Sequence, residues 1–192
     1  MFYQDLKFPK VKGRPFFYTN FVQTVDGKVH VKKMGYWPIG SRLDYEVLLE
    51  LRACADCLIH GKNLYKEFGS VTKKSLKRQA FKDLRKKLGK NPDLPYLTST
   101  HDLKKLSKEL YEKGYKNVLV EGGPTLLGSF LKEDLIDEIF LTISPKIYGT
   151  KEKTTRNLVE GQIFPPDQIK HLKLISVRKI KDELFLRYSV KY

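Results

Sequence analysis

The sequence predicts an α/β fold: a mostly parallel mixed sheet flanked by helices, with a C-terminal antiparallel hairpin. Three observations predict it. Short apolar, β-branched runs alternate with stretches of helical period, the pattern of strand–helix–strand units. Several of these runs end in polar or glycine residues, as the carboxyl ends of parallel strands do where ligands bind. Two alternating segments, "HLKLISVRKI" (residues 171–180) and "ELFLRYSV" (183–190), flank Lys181 and Asp182 and read as an antiparallel pair that makes the sheet mixed. The 192 residues fit one domain over 1–192, with residues 1–13 as an N-terminal arm.

The elements follow in order. "PFFYTNFVQTV" (15–25), rich in aromatic and β-branched residues, is a buried strand. Asp26 and Gly27 turn the chain, and "KVHVKK" (28–33) alternates as a second, shorter strand. Ser41 caps a helix over "LDYEVLLELRACA" (43–55), with Asp44 three residues on as a weaker form of the capping box. "CLIHG" (57–61) is a short strand ending in Gly61. After a loop, "KKSLKRQAFKDLRKKLGK" (73–90) places Leu76, Ala80, Phe81, Leu84 and Leu88 at helical spacing. That spacing predicts an amphipathic helix with a solvated basic face. "LPYLTST" (94–100) is a strand, and Thr100 or Asp102 caps a helix over "LKKLSKELYEKG" (103–114), with Gly114 past its end. "KNVLVE" (116–121) is strand, residues 124–131 are helix and "DEIFLTIS" (137–144) is strand. Residues 145–168, with Gly149, Gly161 and the Pro165–Pro166 pair, read as irregular.

Composition narrows the class. Hydrophobic content of 41% and charged content of 31% are ordinary for a soluble globular protein. No stretch approaches the roughly 18 to 20 apolar residues of a membrane span, and the N-terminus lacks the apolar core of a secretory signal, so a cytoplasmic protein is expected. A net charge of +15 attracts anions: nucleic acid, phosphorylated metabolites or dinucleotides. RNA binding by the lysine-rich helix is the competing reading of that charge, but no aromatic recognition motif accompanies it. The two cysteines stand in "CADC" (54–57). They follow a helix rather than open one and lack a second Cys/His pair, so they read as packing residues, neither redox pair nor metal ligands.

Four strand ends carry candidate chemistry: Thr24, Asp26 and Gly27; His60, Gly61 and Lys62; Thr98 and Ser99; Glu121, Gly122 and Gly123. At the last, "VEGGPT" (120–125), the two glycines permit positive φ and let a ligand lie against bare backbone. Pro124 suits the first turn of a helix whose free N–H groups can receive phosphate oxygens. The motif matches neither G-x-G-x-x-G nor the Walker A loop, and a purely structural turn explains it about as well. Glu121, a carboxylate ending an apolar strand, is costly to desolvate and must face a cleft or a partner.

Three segments carry a resemblance: "RPFFYTNFVQTVDGKV" (14–29), "LRACADCLIHGKN" (51–63) and "VLVEGGPTLLGSFLKEDLIDEIFLTISPKIYG" (118–149). In this order and at these distances they resemble the pyrimidine reductases of riboflavin biosynthesis, both the C-terminal half of the bifunctional deaminase/reductase and its stand-alone archaeal and fungal relatives. The resemblance covers the chain from about Arg14 to its end. It implies a dihydrofolate reductase-like fold, a homodimer, and NADPH-dependent reduction of the ribosyl group of a phosphoribosylaminopyrimidine to a ribityl chain. It implies cofactor contacts at Gly61, Lys62 and Asn63, at Thr98 and Ser99 near the adenosine 2′-phosphate, and at Gly122, Gly123, Pro124 and Thr125 around the pyrophosphate. Asn20 and Thr24 then line the substrate strand end, with Asp26 and Glu121 as catalytic candidates for donating a proton or stabilising a cation. The Asp26 carboxylate has an equally good structural reading, capping backbone N–H groups of its turn.

The chain departs from that family's pattern after Gly61. Leu64 stands where a threonine is usual, and "LYKEFGSVTKKSLKR" (64–78) replaces the acidic-Pro segment ending in arginine, which leaves the substrate open. "HGKNLYKEFG" (60–69) looks closer to dihydrofolate reductases, so a reductase of a pterin or another carbonyl or imine is the alternative enzyme. A basic nucleic-acid-binding domain on the same scaffold is the alternative of another class.

Overall fold

The computed structural model describes residues 1–3, 6–31, 38–150 and 154–192. They divide into two compact units, Met1–Tyr18 with Glu46–Gly123, and Thr19–Tyr45 with Pro124–Tyr192. The first strand, β1 (Phe16–Thr24), and the first helix, α1 (Arg42–Cys54), each run from one unit into the other.

In the first unit β3 (Cys57–His60) lies between β4 (Tyr96–Thr98) and β5 (Asn117–Glu121) and is parallel to both. All four residues of β3 and the last four of β5 are buried. That is why both read as continuous apolar runs rather than alternating ones. Helices α2 (Lys62–Leu76), α3 (Gln79–Lys87) and α4 (Leu103–Glu112) belong to this unit. Its core holds Phe17, Tyr18, Leu51, Leu58, Ile59, Leu110 and Leu119. Asp102 caps α4 by accepting the Lys105 N–H at 2.9 Å, and Gly114 takes positive φ past its end. The N-terminal residues lie along this unit: the Tyr3 N–H donates to Glu50 at 2.7 Å, and Phe8 stacks on Tyr18.

In the second unit the C-terminal strands pair antiparallel. β9 (Glu183–Lys191) pairs with both β6 (Glu138–Ser144) and β8 (His171–Ile180), the hairpin turning at Lys181, whose φ is 53°. Helix α5 (Pro124–Lys132) joins Phe140, Ile136 and Phe185 in its core through Leu127 and Phe130. A separate pair joins β2 (Lys28–Val31) to β7 (Thr155–Asn157).

Several expectations need correction. The lysine-rich stretch forms two helices, not one: the backbone is extended at Arg78 (ψ 136°), and α2 begins directly at Lys62 with no loop before it. Ala80 is exposed, whereas Arg85, read as part of a solvated face, is 1% exposed. Residues 155–157 form a strand inside the stretch expected to be irregular, because β2 pairs with them. Lys32 and Lys33, assigned to the second strand, lie outside the described residues. Ser41 does cap α1, accepting the Asp44 N–H at 3.2 Å, but the Asp44 carboxylate turns to Thr142 instead of closing a box. Burial pushes that carboxyl up to about 6. Cys54 and Cys57 are free and buried, and burial lifts their thiols to about 11 and about 12, the character of inert packing groups.

Candidate functional site

The parallel register of the first unit brings most of the expected residues to one edge. His60 pairs with Thr98 on one side and Glu121 on the other, so the last residues of β4, β3 and β5 stand in one row. Ser99 follows on, its N–H donating to the His60 carbonyl at 2.9 Å, while Gly61 and Gly122 continue the other two strands. Gly61 is the cap of α2 with extended backbone (φ −66°, ψ 150°) and no side chain to offer. The first turn of α2, with Lys62 and Asn63, holds no acidic residue, so its N–H groups and positive end face this edge uncompensated. The Lys62 ammonium lies 3.2 Å from His101 Nε2, adding two basic groups where β4 ends.

The glycine turn differs from expectation in one respect. Positive φ occurs at Gly13, Gly27, Gly89, Gly114, Gly149 and Gly161, and neither Gly122 nor Gly123 adopts it. What Gly123 provides is space: a Cβ built there meets nothing within 4 Å. Pro124 is the first residue of α5, where its missing N–H breaks no helical bond. Thr125 is exposed beside it.

Glu121 does not stand alone. It is 6% exposed and receives Arg52 in a bidentate pair, Nε on Oε1 at 2.6 Å and Nη2 on Oε2 at 2.5 Å, with His60 Nε2 3.0 Å from Oε2. Burial pushes its carboxyl up, but the Arg52 charge and these hydrogen bonds win and hold it at about 2. On its other side His60 meets the Tyr96 hydroxyl, 2.6 Å from Nδ1. His60 was expected only as part of a candidate strand end, with no role assigned, and Arg52 and Tyr96 were not expected at all. The readable signal was Arg52 itself, a charge inside the apolar run "LLELRACA" (48–55).

In the second unit Thr24 is fully buried, and its hydroxyl donates to Asp26 at 2.5 Å while accepting the Lys28 N–H at 2.9 Å. Asp26 also accepts the N–H groups of Tyr148 (3.2 Å) and Gly149 (2.8 Å). The Thr24 hydroxyl first, then these backbone donors, hold its carboxyl below the usual range. Gly27 completes the turn with φ 79°. Asn20, half-buried on β1, has a buried Oδ1 with no hydrogen-bond partner.

Among the described residues no helix is long and apolar enough to cross a membrane, and no cluster of three His, Cys, Asp or Glu could hold a metal ion. The fold and strand-end row define an α/β protein of the dihydrofolate reductase-like class. The crystal structure of Acinetobacter baumannii RibD (form 1) matches with a TM-score of 0.70 at 18% identity, covering 94% of this chain and 59% of that one. Dihydrofolate reductase from Enterococcus faecalis matches with a TM-score of 0.55 at 10% identity, over 92% and 97%. The family model for the RibD C-terminal domain matches residues 69–186, and the chain belongs to that family. The 2,5-diamino-6-ribosylamino-4(3H)-pyrimidinone 5′-phosphate reductase of Aquifex aeolicus (strain VF5) is 38% identical over 76 residues. That stretch is 39% of this chain and 33% of the relative, so the match spans about a third of the relative's length.

Proposed function

We propose that the chain is an NADPH-dependent reductase of a phosphorylated ribosylaminopyrimidine, reducing its ribosyl group to a ribityl chain in riboflavin biosynthesis. The observation that carries the reading is membership of the RibD C-terminal domain family over residues 69–186, a span that includes β4, β5 and the glycine turn. The Aquifex relative is named for the 2,5-diamino pyrimidine, which makes the non-deaminated compound the first substrate to try. The Enterococcus dihydrofolate reductase of like fold is complexed with NADP(H).

The residues fit such a cofactor. Gly61, Lys62, Asn63, Thr98 and Ser99, with His101 beside Lys62, give an uncapped helix end and basic groups suited to phosphate. Gly122, Gly123, Pro124 and Thr125 present bare backbone and the start of α5. When bound, the nicotinamide supplies the hydride, and the protein's task is to bind and orient. Asn20 offers its unused Oδ1, with Thr24 near it in sequence, to a substrate hydroxyl. Asp26 is held ionised, so its role in this reading is to stabilise positive charge on the open imine rather than to donate a proton. Glu121, buried with its oxygens taken by Arg52 and His60, serves in this reading through the strand end it anchors. The enzyme works in the cytoplasm as a homodimer.

Titration of protein fluorescence with NADPH, followed by turnover of the 2,5-diamino and deaminated substrates, tests the proposal. Micromolar NADPH binding and oxidation dependent on one pyrimidine are expected. A chain that binds no NADPH overturns it. Gly123→Asp separates binding from folding, since the open space at Gly123 accepts a Cβ while the added charge repels phosphate. Thermal unfolding within a few degrees of wild type and NADPH affinity at least about 100-fold weaker are expected, on the order of 3 kcal/mol. Unchanged affinity removes this turn from the cofactor site.

A further inference from the structure

Five side chains of the first unit form one hydrogen-bonded chain. The Thr72 hydroxyl on α2 bonds the Tyr96 oxygen on β4. Tyr96 meets His60 Nδ1 on β3 at 2.6 Å, and His60 Nε2 meets Glu121 on β5 at 3.0 Å. Arg52 on α1 closes on Glu121 from the other side. Thr72, His60, Glu121 and Arg52 are all at most 6% exposed, and Tyr96 is half-buried.

The chain has a direction. An ionised carboxylate only accepts hydrogen bonds, so His60 must carry its proton on Nε2 to bond Glu121. The Nε2–H tautomer presents a lone pair at Nδ1, which takes the Tyr96 O–H. Burial pushes the Tyr96 phenol up to about 12, so it keeps that proton at neutral pH. Thr72 donates to Tyr96 in turn. Every donor points toward Glu121, whose Oε1 receives Arg52 and whose Oε2 receives both Arg52 and His60.

This network ends where the two glycine turns begin. Gly61 follows His60, Gly122 follows Glu121, and the Ser99 N–H is tied to the His60 carbonyl. Polar groups buried this deeply hold one arrangement only while every partner is present. We propose that His60 and Tyr96 are positioning residues that, through Glu121, set the strand ends bearing Gly61 and Gly122 for the phosphates of the dinucleotide. The inference rests on the reductase reading given above.

The test uses the full chain with Tyr96→Phe, His60→Val and His60→Gln, the last keeping an N–H able to reach Glu121. NADPH dissociation constants, thermal midpoints and ¹⁵N imidazole shifts are measured for each. Tyr96→Phe is expected to weaken NADPH binding about fivefold, one hydrogen bond's worth, with its midpoint within a few degrees of wild type. His60→Val should weaken binding at least as much, and His60→Gln should recover most of that loss. The wild-type imidazole should show the Nε2–H tautomer, with the Nδ1 resonance moving in Tyr96→Phe. A wild type that binds NADPH while Tyr96→Phe and His60→Val bind it equally well overturns this inference alone, as does the opposite tautomer. Binding losses that merely track the midpoint, with His60→Gln no better than His60→Val, also overturn it. A wild type without NADPH affinity removes the reductase reading and this inference together.

Discussion

A carboxylate 6% exposed beside a bidentate guanidinium is an all-or-none arrangement: both partners must be present, or a charge is left buried. Glu121 is held at about 2 in the folded chain, against an ordinary value of 4.5. A folded value below the unfolded one gives stability that is present above the unfolded value and lost as pH falls toward the folded one. Glu121 therefore contributes stability above about pH 4.5, on the order of 3 kcal/mol, which drains away between about pH 4.5 and 2. Glu121→Gln removes that term and strands the Arg52 charge. The variant should be less stable than wild type by about 3 kcal/mol at pH 7, the gap narrowing toward pH 2. Urea unfolding from pH 2 to 7 measures it, and a gap independent of pH sinks the assignment. The sequence shows that a carboxylate ending an apolar strand needs a cleft or a partner. It does not show which partner, because Arg52 lies 69 positions away and only the fold brings it near. Asp26 was legible only in part: Thr24 stands two positions away, as a turn partner should, but the N–H donors Tyr148 and Gly149 lie 122 and 123 positions away and only the fold brings them to it.

Elements were legible where periodicity and caps agree, as in α4 with Asp102 and Gly114, and in the β8–β9 hairpin. They were not where tertiary partners decide. β7 is three residues, Thr-Arg-Asn, with no apolar alternation, and exists because β2 pairs with it. The break between α2 and α3 falls at Lys77 and Arg78 without proline or glycine to announce it. Arg85 is the sharpest case. Helical periodicity assigns it to a basic face, yet its guanidinium finishes another helix. Nη1 donates to the carbonyls of Ala53 (3.0 Å), in the last turn of α1, and Ala55 (2.7 Å), just past it, and Nε donates to the Asn91 carbonyl at 2.6 Å. Arg85→Met keeps the volume and removes the donors, leaving buried carbonyls unpaired, and should destabilise by about 3 kcal/mol. Arg85→Lys should recover only part of that, since an ammonium cannot reproduce the fork. Exposed Lys87→Met, two residues on, should change stability by less than about 0.5 kcal/mol. Denaturant midpoints for the three variants decide it, and equal values for Arg85→Met and Lys87→Met exclude the capping role.

At the scale of the molecule, the net charge of +15 argues for anionic ligands, but composition could not say whether the chain acts alone. The assembly argument comes from β8, which among the described residues is the last strand in its sheet and pairs only with β9. It is ten residues long, and Leu172, Leu174, Ile175, Val177 and Ile180 are each 40–54% exposed. An open edge of that length, even with Lys173, Arg178 and Lys179 along it, offers unpaired backbone to another strand. In the proposed homodimer an identical β8 related by a two-fold axis would close the contact, with the same patch serving both partners. Such pairing would account for the aliphatic residues this surface strand keeps. Light scattering after size exclusion should therefore give about twice the chain mass of 22.4 kDa at micromolar concentration. Val177→Lys with Leu174→Lys places like charges across the two-fold and should return the mass to that of one chain, with the folded circular-dichroism signal retained. A wild-type chain that stays monomeric at tens of micromolar, or a double variant that stays dimeric, shows that β8 is not the joining edge.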